Sequence, residues 1–159
     1  EPGRFFVSAS TSVITKVYGR KGGAGNTQAL YVDDGVYGSF NNVVYDHYHP
    51  IPKKLTLTDL EAELGPRKRS ASELERISAA VAEAVASMRI PTAIFGPTCD
   101  GLDHLCDMGS TLLERCQVGD WLLWMNMGAY THTASFVFNG YTHIPQEIYV
   151  ASQNSQVGH

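Results

Sequence analysis

The chain has 159 residues, 43% of them hydrophobic and 18% charged, which excludes a disordered segment. Its net charge of -4, from 12 basic and 16 acidic residues, leaves no basic footprint for nucleic acid or an anionic membrane. No apolar run approaches the ~18 residues of a membrane span. At this length roughly 68–70% of the unfolded chain's surface can be buried, so a core can form without disulfides or metal. The three cysteines, Cys99, Cys106 and Cys116, lack framework spacing, which fits a reducing, cytoplasmic setting. Glu1 opens the chain with no initiator Met and no signal-peptide pattern, as in a processed product, a fragment or an engineered piece.

Phe5 to Tyr18 is rich in Phe, Val, Ile and Thr and is predicted as a strand. Arg20 to Asn26 is a glycine turn, and Gln28 to Asp33 a second strand. Asp34-Gly35 marks a turn, and Phe40 to His47 reads as a third strand, closed by His49-Pro50-Ile51-Pro52. Thr58 with Glu61, then Ser70 with Glu73, are capping boxes for two helices. The second helix carries Leu74, Ile77, Val81, Val85 and Met88 at helical spacing. Thr92 to Phe95 returns to strand, and Leu102 to Cys116 is mixed, with room for a helical turn. Asp120 to Met127, Ser135 to Phe138 and Glu147 to Ala151 complete the strand candidates. Turn signals at Val118 to Asp120, Asn126 to Gly128 and Asn139-Gly140 separate them. The expectation is one mostly β domain over 1–151, an antiparallel barrel or sandwich with a helical insertion at 56–89. A polar tail follows at 152–159.

Several local signals are weak. Gly22-Gly23-Ala24-Gly25 lacks the Lys-Ser/Thr ending of a phosphate loop and reads as a hairpin loop. His47 and His49, two apart on the expected strand near Asp46, lack a third ligand with convincing spacing for metal. Cys99, His104 and Cys106 are too irregular for structural zinc, and Asp33-Asp34 reads as a polar turn.

Three segments are more specific: Tyr31 to His47 (YVDDGVYGSFNNVVYDH), Phe95 to Asp103 (FGPTCDGLD), and Val118 to Thr131 (VGDWLLWMNMGAYT) with Phe138-Asn139-Gly140. With Glu1-Pro2-Gly3-Arg4 they resemble the C-terminal portion of eukaryotic ornithine decarboxylase, of the alanine-racemase-like, fold-type III enzymes that use pyridoxal phosphate (PLP). The resemblance covers most of the chain except 53–90 and the tail. It implies a (β/α)8 barrel carrying the cofactor, followed by a mostly β domain, in a head-to-tail dimer. The β domain of one subunit then reaches into the barrel site of the other.

By that resemblance Glu1 matches the glutamate beside the pyridine nitrogen, where a carboxylate keeps the ring an electron acceptor. Arg4 and Tyr130 match residues that hold the cofactor phosphate. Asp46 and Asp100 match two acids that take the distal ammonium of ornithine. Cys99 matches a cysteine contributed across the dimer, which returns a proton to the substrate carbon after decarboxylation. Tyr37, Tyr45 and Phe138 match aromatic residues of the substrate pocket or dimer contact. None of the lysines, Lys16, Lys21, Lys53, Lys54 and Lys68, lies in a segment matching the cofactor lysine. The implied cofactor is therefore PLP only when a barrel domain completes the site, and none for this chain alone. The implied partners are a second copy or a decarboxylase barrel chain, and a small diamino-acid substrate. Two other readings stay open: a stand-alone domain with new Cys99 chemistry partnered by Asp100, His104 or His132, and a non-catalytic binding or regulatory module. The resemblance also implies an N-terminal strand donated to the β domain that has no counterpart in this sequence, and the Leu74 to Met88 stripe is expected to cover the sheet edge left open.

Overall fold

The computed structural model describes residues 2–22, 25–56, 88–142 and 146–149. The expected helical insertion falls almost wholly outside the described residues, together with Glu1 and the tail.

Seven strands form one sheet: β1 (Val13–Gly22), β2 (Gln28–Val32), β3 (Pro52–Lys54), β4 (Ile90–Phe95), β5 (His104–Cys106), β6 (Leu112–Leu113) and β7 (Trp121–Trp124). Their order is β3-β7-β1-β2-β4-β5, with β6 also on β4. Every pair is antiparallel except β2 with β4. β3 also lies against β6, so the sheet curls toward a barrel. Lys54, on β3, reaches across that gap to the Arg115 carbonyl (3.1 Å) and pairs with Asp120 (2.6 Å).

Period-two alternation explains the core. Thr15 and Val17 of β1 point inward while Ile14, Lys16 and Tyr18 point out. Gln28, Leu30 and Val32 of β2 and Leu122 and Trp124 of β7 do the same. The inward set packs with Phe40, Ile94, Leu105, Leu113 and Met127. Several buried polar groups pair with one another inside this core. Trp124 Nε1 donates to Thr15 Oγ1 (2.9 Å). Gln28 donates to Thr92 Oγ1 and the Glu114 carbonyl, and accepts from the Cys116 amide, each at 3.0 Å. β1 and β2 pair as antiparallel neighbours, their last described pair being Gly22 with Gln28.

Five local expectations change. Residues 2–7 form a short helix, α1 (Pro2–Val7), followed by a 3-10 turn at Ser8–Ser10, so the first strand starts only at Val13. Ser8 Oγ on the Arg4 carbonyl (2.6 Å) and Ser10 Oγ on that of Val7 (2.7 Å) close these turns. Phe40 to His47 is not a strand, because Asn41–Tyr45 is helical (α2). Asp34 Oδ1 accepts the Gly35 and Ser39 amides, and the Gly35 carbonyl accepts those of Gly38 and Phe40. That wound turn feeds the helix and overrides the β preference of Val43 and Val44. His47, at φ 50°, ends it. The pair His47 and His49 therefore shares no strand face, and no metal-binding cluster occurs among the described residues. Between Leu102 and Cys116 there is no helical turn, only β5 and β6. Ser135 to Phe138 follows a 3-10 turn (His132–Ala134) without strand pairing beyond a single bridge at Phe138, and Glu147 to Tyr149 is irregular.

Cys106 and Cys116 are buried and Cys99 is exposed. Burial pushes the Cys106 thiol up to about 11 and that of Cys116 up to about 12, from 9.0. The unfolded chain ionises these thiols first, so their contribution to stability is complete below pH 9 and lost as pH rises toward the folded values. Urea midpoints should decline above that pH, and less steeply in Cys116→Ala. At pH 7.5 iodoacetamide should modify Cys99 alone in the folded chain and all three cysteines in urea. Labelling of Cys106 or Cys116 at the rate of Cys99 would contradict this packing.

Candidate functional site

Two loops of the sheet meet over one buried carboxylate. The first, Asp34 to Phe40, follows β2, and the second, Gly96 to Asp103, joins β4 to β5. Asp103 is 1% exposed. Its Oδ1 accepts the Val36 amide of the first loop (2.9 Å). Its Oδ2 accepts both the amide (2.9 Å) and the hydroxyl (2.7 Å) of Thr98 in its own loop. Gly35 and Gly96 make room, since a Cβ on either would lie 2.1 Å from Oδ1. The second loop is closed by the Gly96 amide on the Asp103 carbonyl (2.9 Å) and the Asp103 amide on that of Asp100 (3.0 Å).

This junction aligns Tyr37 with Asp100. The Tyr37 hydroxyl donates to Asp100 Oδ2 at 2.5 Å, and the Leu102 amide donates to Oδ1 at 3.0 Å. The Leu102 amide and then the Tyr37 hydroxyl hold the Asp100 carboxyl below its usual range. The same bond, with some desolvation, pushes Tyr37 up to about 12. Asp100 is therefore ionised and Tyr37 protonated across the physiological range. Phe138 stacks on Tyr37 with ring centres 3.9 Å apart, and Phe136 meets its edge. Cys99 is exposed beside Asp100, and Asn139 Nδ2 lies 3.8 Å from its sulfur. Four expected residues, Tyr37, Cys99, Asp100 and Phe138, thus form one group.

A second group gathers the charge-bearing ends of other elements. Arg4 of α1 pairs with Asp46, just past α2, at 2.9 Å, each side chain 33% exposed. The guanidinium lies 4.9 Å from the ring centre of Tyr130, whose φ is 52°. Tyr45 ends α2 with its ring exposed. Asp46 is held by Arg4, and Asp100 by Tyr37 and the Leu102 amide, so the two expected amine-binding acids have different partners. Glu1 lies outside the described residues. His104 meets the Cys106 carbonyl at 2.7 Å and stacks on Phe95, and His132 meets Ser135 Oγ at 3.3 Å.

The family model "Pyridoxal-dependent decarboxylase, C-terminal sheet domain" matches residues 5–128. The chain belongs to that family. It is 36% identical to an ornithine decarboxylase of Cricetulus griseus over 96% of this chain and 30% of that protein. It is 35% identical to antizyme inhibitor 2 of Xenopus laevis over 91% of this chain and 28% of that one. Arginine decarboxylase of Paramecium bursaria Chlorella virus, solved with agmatine, superimposes with a TM-score of 0.62 at 25% identity, covering 87% of this chain and 30% of that one. The lysine/ornithine decarboxylase of Vibrio vulnificus shares the fold at TM-score 0.61 and 24% identity, over 87% of this chain and 30% of that one. The chain thus spans about a third of the length of these relatives. Among the described residues, no helix is long and apolar enough to cross a membrane.

Asp103 and Asn139 have no role in the sequence reading. Asp103 lay in view within FGPTCDGLD, but a carboxylate is by default a surface group. Asn139 signalled only a turn.

Asp103→Asn places an amide N–H against backbone or hydroxyl donors. It should lower stability by about 2–4 kcal/mol, read from urea midpoints. Gly96→Ala should be at least as damaging. A loss below about 1 kcal/mol in Asp103→Asn would deny the carboxylate its role in joining the loops.

Proposed function

We propose that this chain acts as the C-terminal β domain of a PLP-dependent decarboxylase for ornithine or a similar diamino acid, working with a barrel domain that completes the site. The supporting observation is the Tyr37–Asp100 pair beside Cys99. An ionised carboxylate fixed at both oxygens is a ready partner for a distal ammonium. Each oxygen keeps a lone pair free, and the stacked Tyr37–Phe138 rings offer the amine's methylenes an apolar flank. On this reading Cys99, next in the chain and exposed, delivers a proton to carbon.

Arg4 and Tyr130 fit the phosphate of PLP: a guanidinium and a phenol sit side by side, and the Arg4–Asp46 bond is an exposed pair of small net strength. A phosphate can replace Asp46 on Arg4 with little loss, which releases the Asp46 carboxylate for a cation. PLP, when bound, supplies the electron sink for loss of the substrate carboxyl group. The chain's own residues bind the amine, hold the phosphate and move the proton. On this reading Asp46 and Asp100, which have different partners within the chain, meet one ammonium across two copies of the domain.

A non-catalytic, regulatory role is the second reading, favoured by the likeness to antizyme inhibitor 2 at 35% identity, against 36% for the Cricetulus griseus decarboxylase. A chimera joining the barrel of Cricetulus griseus ornithine decarboxylase to this chain separates the two. The proposal expects carbon dioxide release from ornithine. Asp100→Asn should raise KM at least tenfold, about 1.4 kcal/mol, and Cys99→Ala should lower kcat. A folded, PLP-loaded chimera that releases no carbon dioxide would favour the regulatory reading.

A further inference from the structure

The Asn139-Gly140 turn does more than reverse the chain. Phe138 and Tyr141 form a bridge, and between them Asn139 (φ 49°) and Gly140 (φ 78°) are both left-handed. Two central residues of positive φ define the tight hairpin turn in which Asn-Gly is preferred. The turn is anchored on the first loop: Phe138 stacks on Tyr37, and the Phe136 amide donates to the Tyr37 carbonyl at 3.0 Å. That anchoring carries the Asn139 amide to Cys99, with Nδ2 3.8 Å from Sγ, within the reach of an N–H to sulfur bond.

Among the described residues, the titratable groups tied to the Cys99 loop are acidic. Asp100 adjoins it in the chain, the Tyr37 phenol bonds to Asp100, and Asp103 lies behind Thr98. Negative charge on Asp100 opposes a thiolate, and a neutral N–H donor favours it. Within the decarboxylase reading, we propose that Asn139 is a positioning residue for Cys99. Its amide N–H donates to the sulfur and sets the thiol's direction beside Asp100. When the thiol protonates carbon, the S–H bond breaks and a C–H bond forms. The electron pair stays on sulfur, and Asn139 stabilises the resulting thiolate.

Alkylation tests this on the chain itself, without a barrel or cofactor. The rate of Cys99 modification by iodoacetamide is followed from pH 6 to 10 by mass spectrometry. Asn139→Gly removes the amide while keeping a residue at ease with positive φ. Asn139→Asp keeps the turn and puts a carboxylate where the donor was. The glycine variant should shift the profile's midpoint upward by about half a unit, slowing modification near pH 7.5 about threefold. The aspartate variant should shift it further. A change of accessibility alone moves the plateau rate and not the midpoint. Midpoints unmoved in both variants overturn the proposal. A silent chimera overturns the decarboxylase reading and leaves this coupling as measured, so the two failures are distinguishable.

Discussion

The Asp103 carboxylate is the constraint on which the site depends. A buried carboxylate is unfavourable unless its oxygens are filled by donors. Here the donors come from two loops far apart in sequence: Val36 from the segment after β2, and Thr98 from the segment after β4. β2 and β4 run parallel and side by side, so both loops leave the sheet at the same end. The charge links them there, and Gly35 and Gly96 let the backbone come close enough. Tyr37 and Asp100 follow within three residues of these contacts, and their bond is a product of that junction.

The chemistry of the surface then divides into two parts. The Tyr37–Asp100 group is anionic and aromatic, suited to an ammonium on a short methylene chain. The Arg4–Tyr130 group offers a cation and a phenol, suited to a phosphate, with Asp46 neutralising the guanidinium. A diamino acid carried on a phosphate-bearing cofactor presents both kinds of end.

Much of the sheet was legible in the sequence. Alternation in β1 and β2, the apolar run of β4 and the Trp121 to Trp124 segment marked strands, and the glycine segment marked their hairpin. Local propensity failed where distant groups decide. Val43, Val44 and Tyr45 favour a strand, yet Asp34 winds the preceding turn, and Asn41 Nδ2 bonds both the Gly38 carbonyl (3.0 Å) and that of Thr131. The site's composition was legible only through resemblance, in motifs such as FGPTCDGLD. Its grouping was not, because neither the helix that carries Asp46 toward Arg4 nor the burial of Asp103 leaves a periodic signature. Asn139 was visible as a turn residue, but its proximity to Cys99 depends on the Phe138–Tyr37 stack, a contact between residues a hundred positions apart.

Native-state hydrogen exchange at the Val36 and Thr98 amides tests the central claim most directly. Both amides lie in loops outside the strand ladders, and both donate to Asp103. If the carboxylate joins the loops, the two amides exchange together, with the protection of the β2 and β4 core amides. Fast, independent exchange at either, while the strands stay protected, would contradict the account.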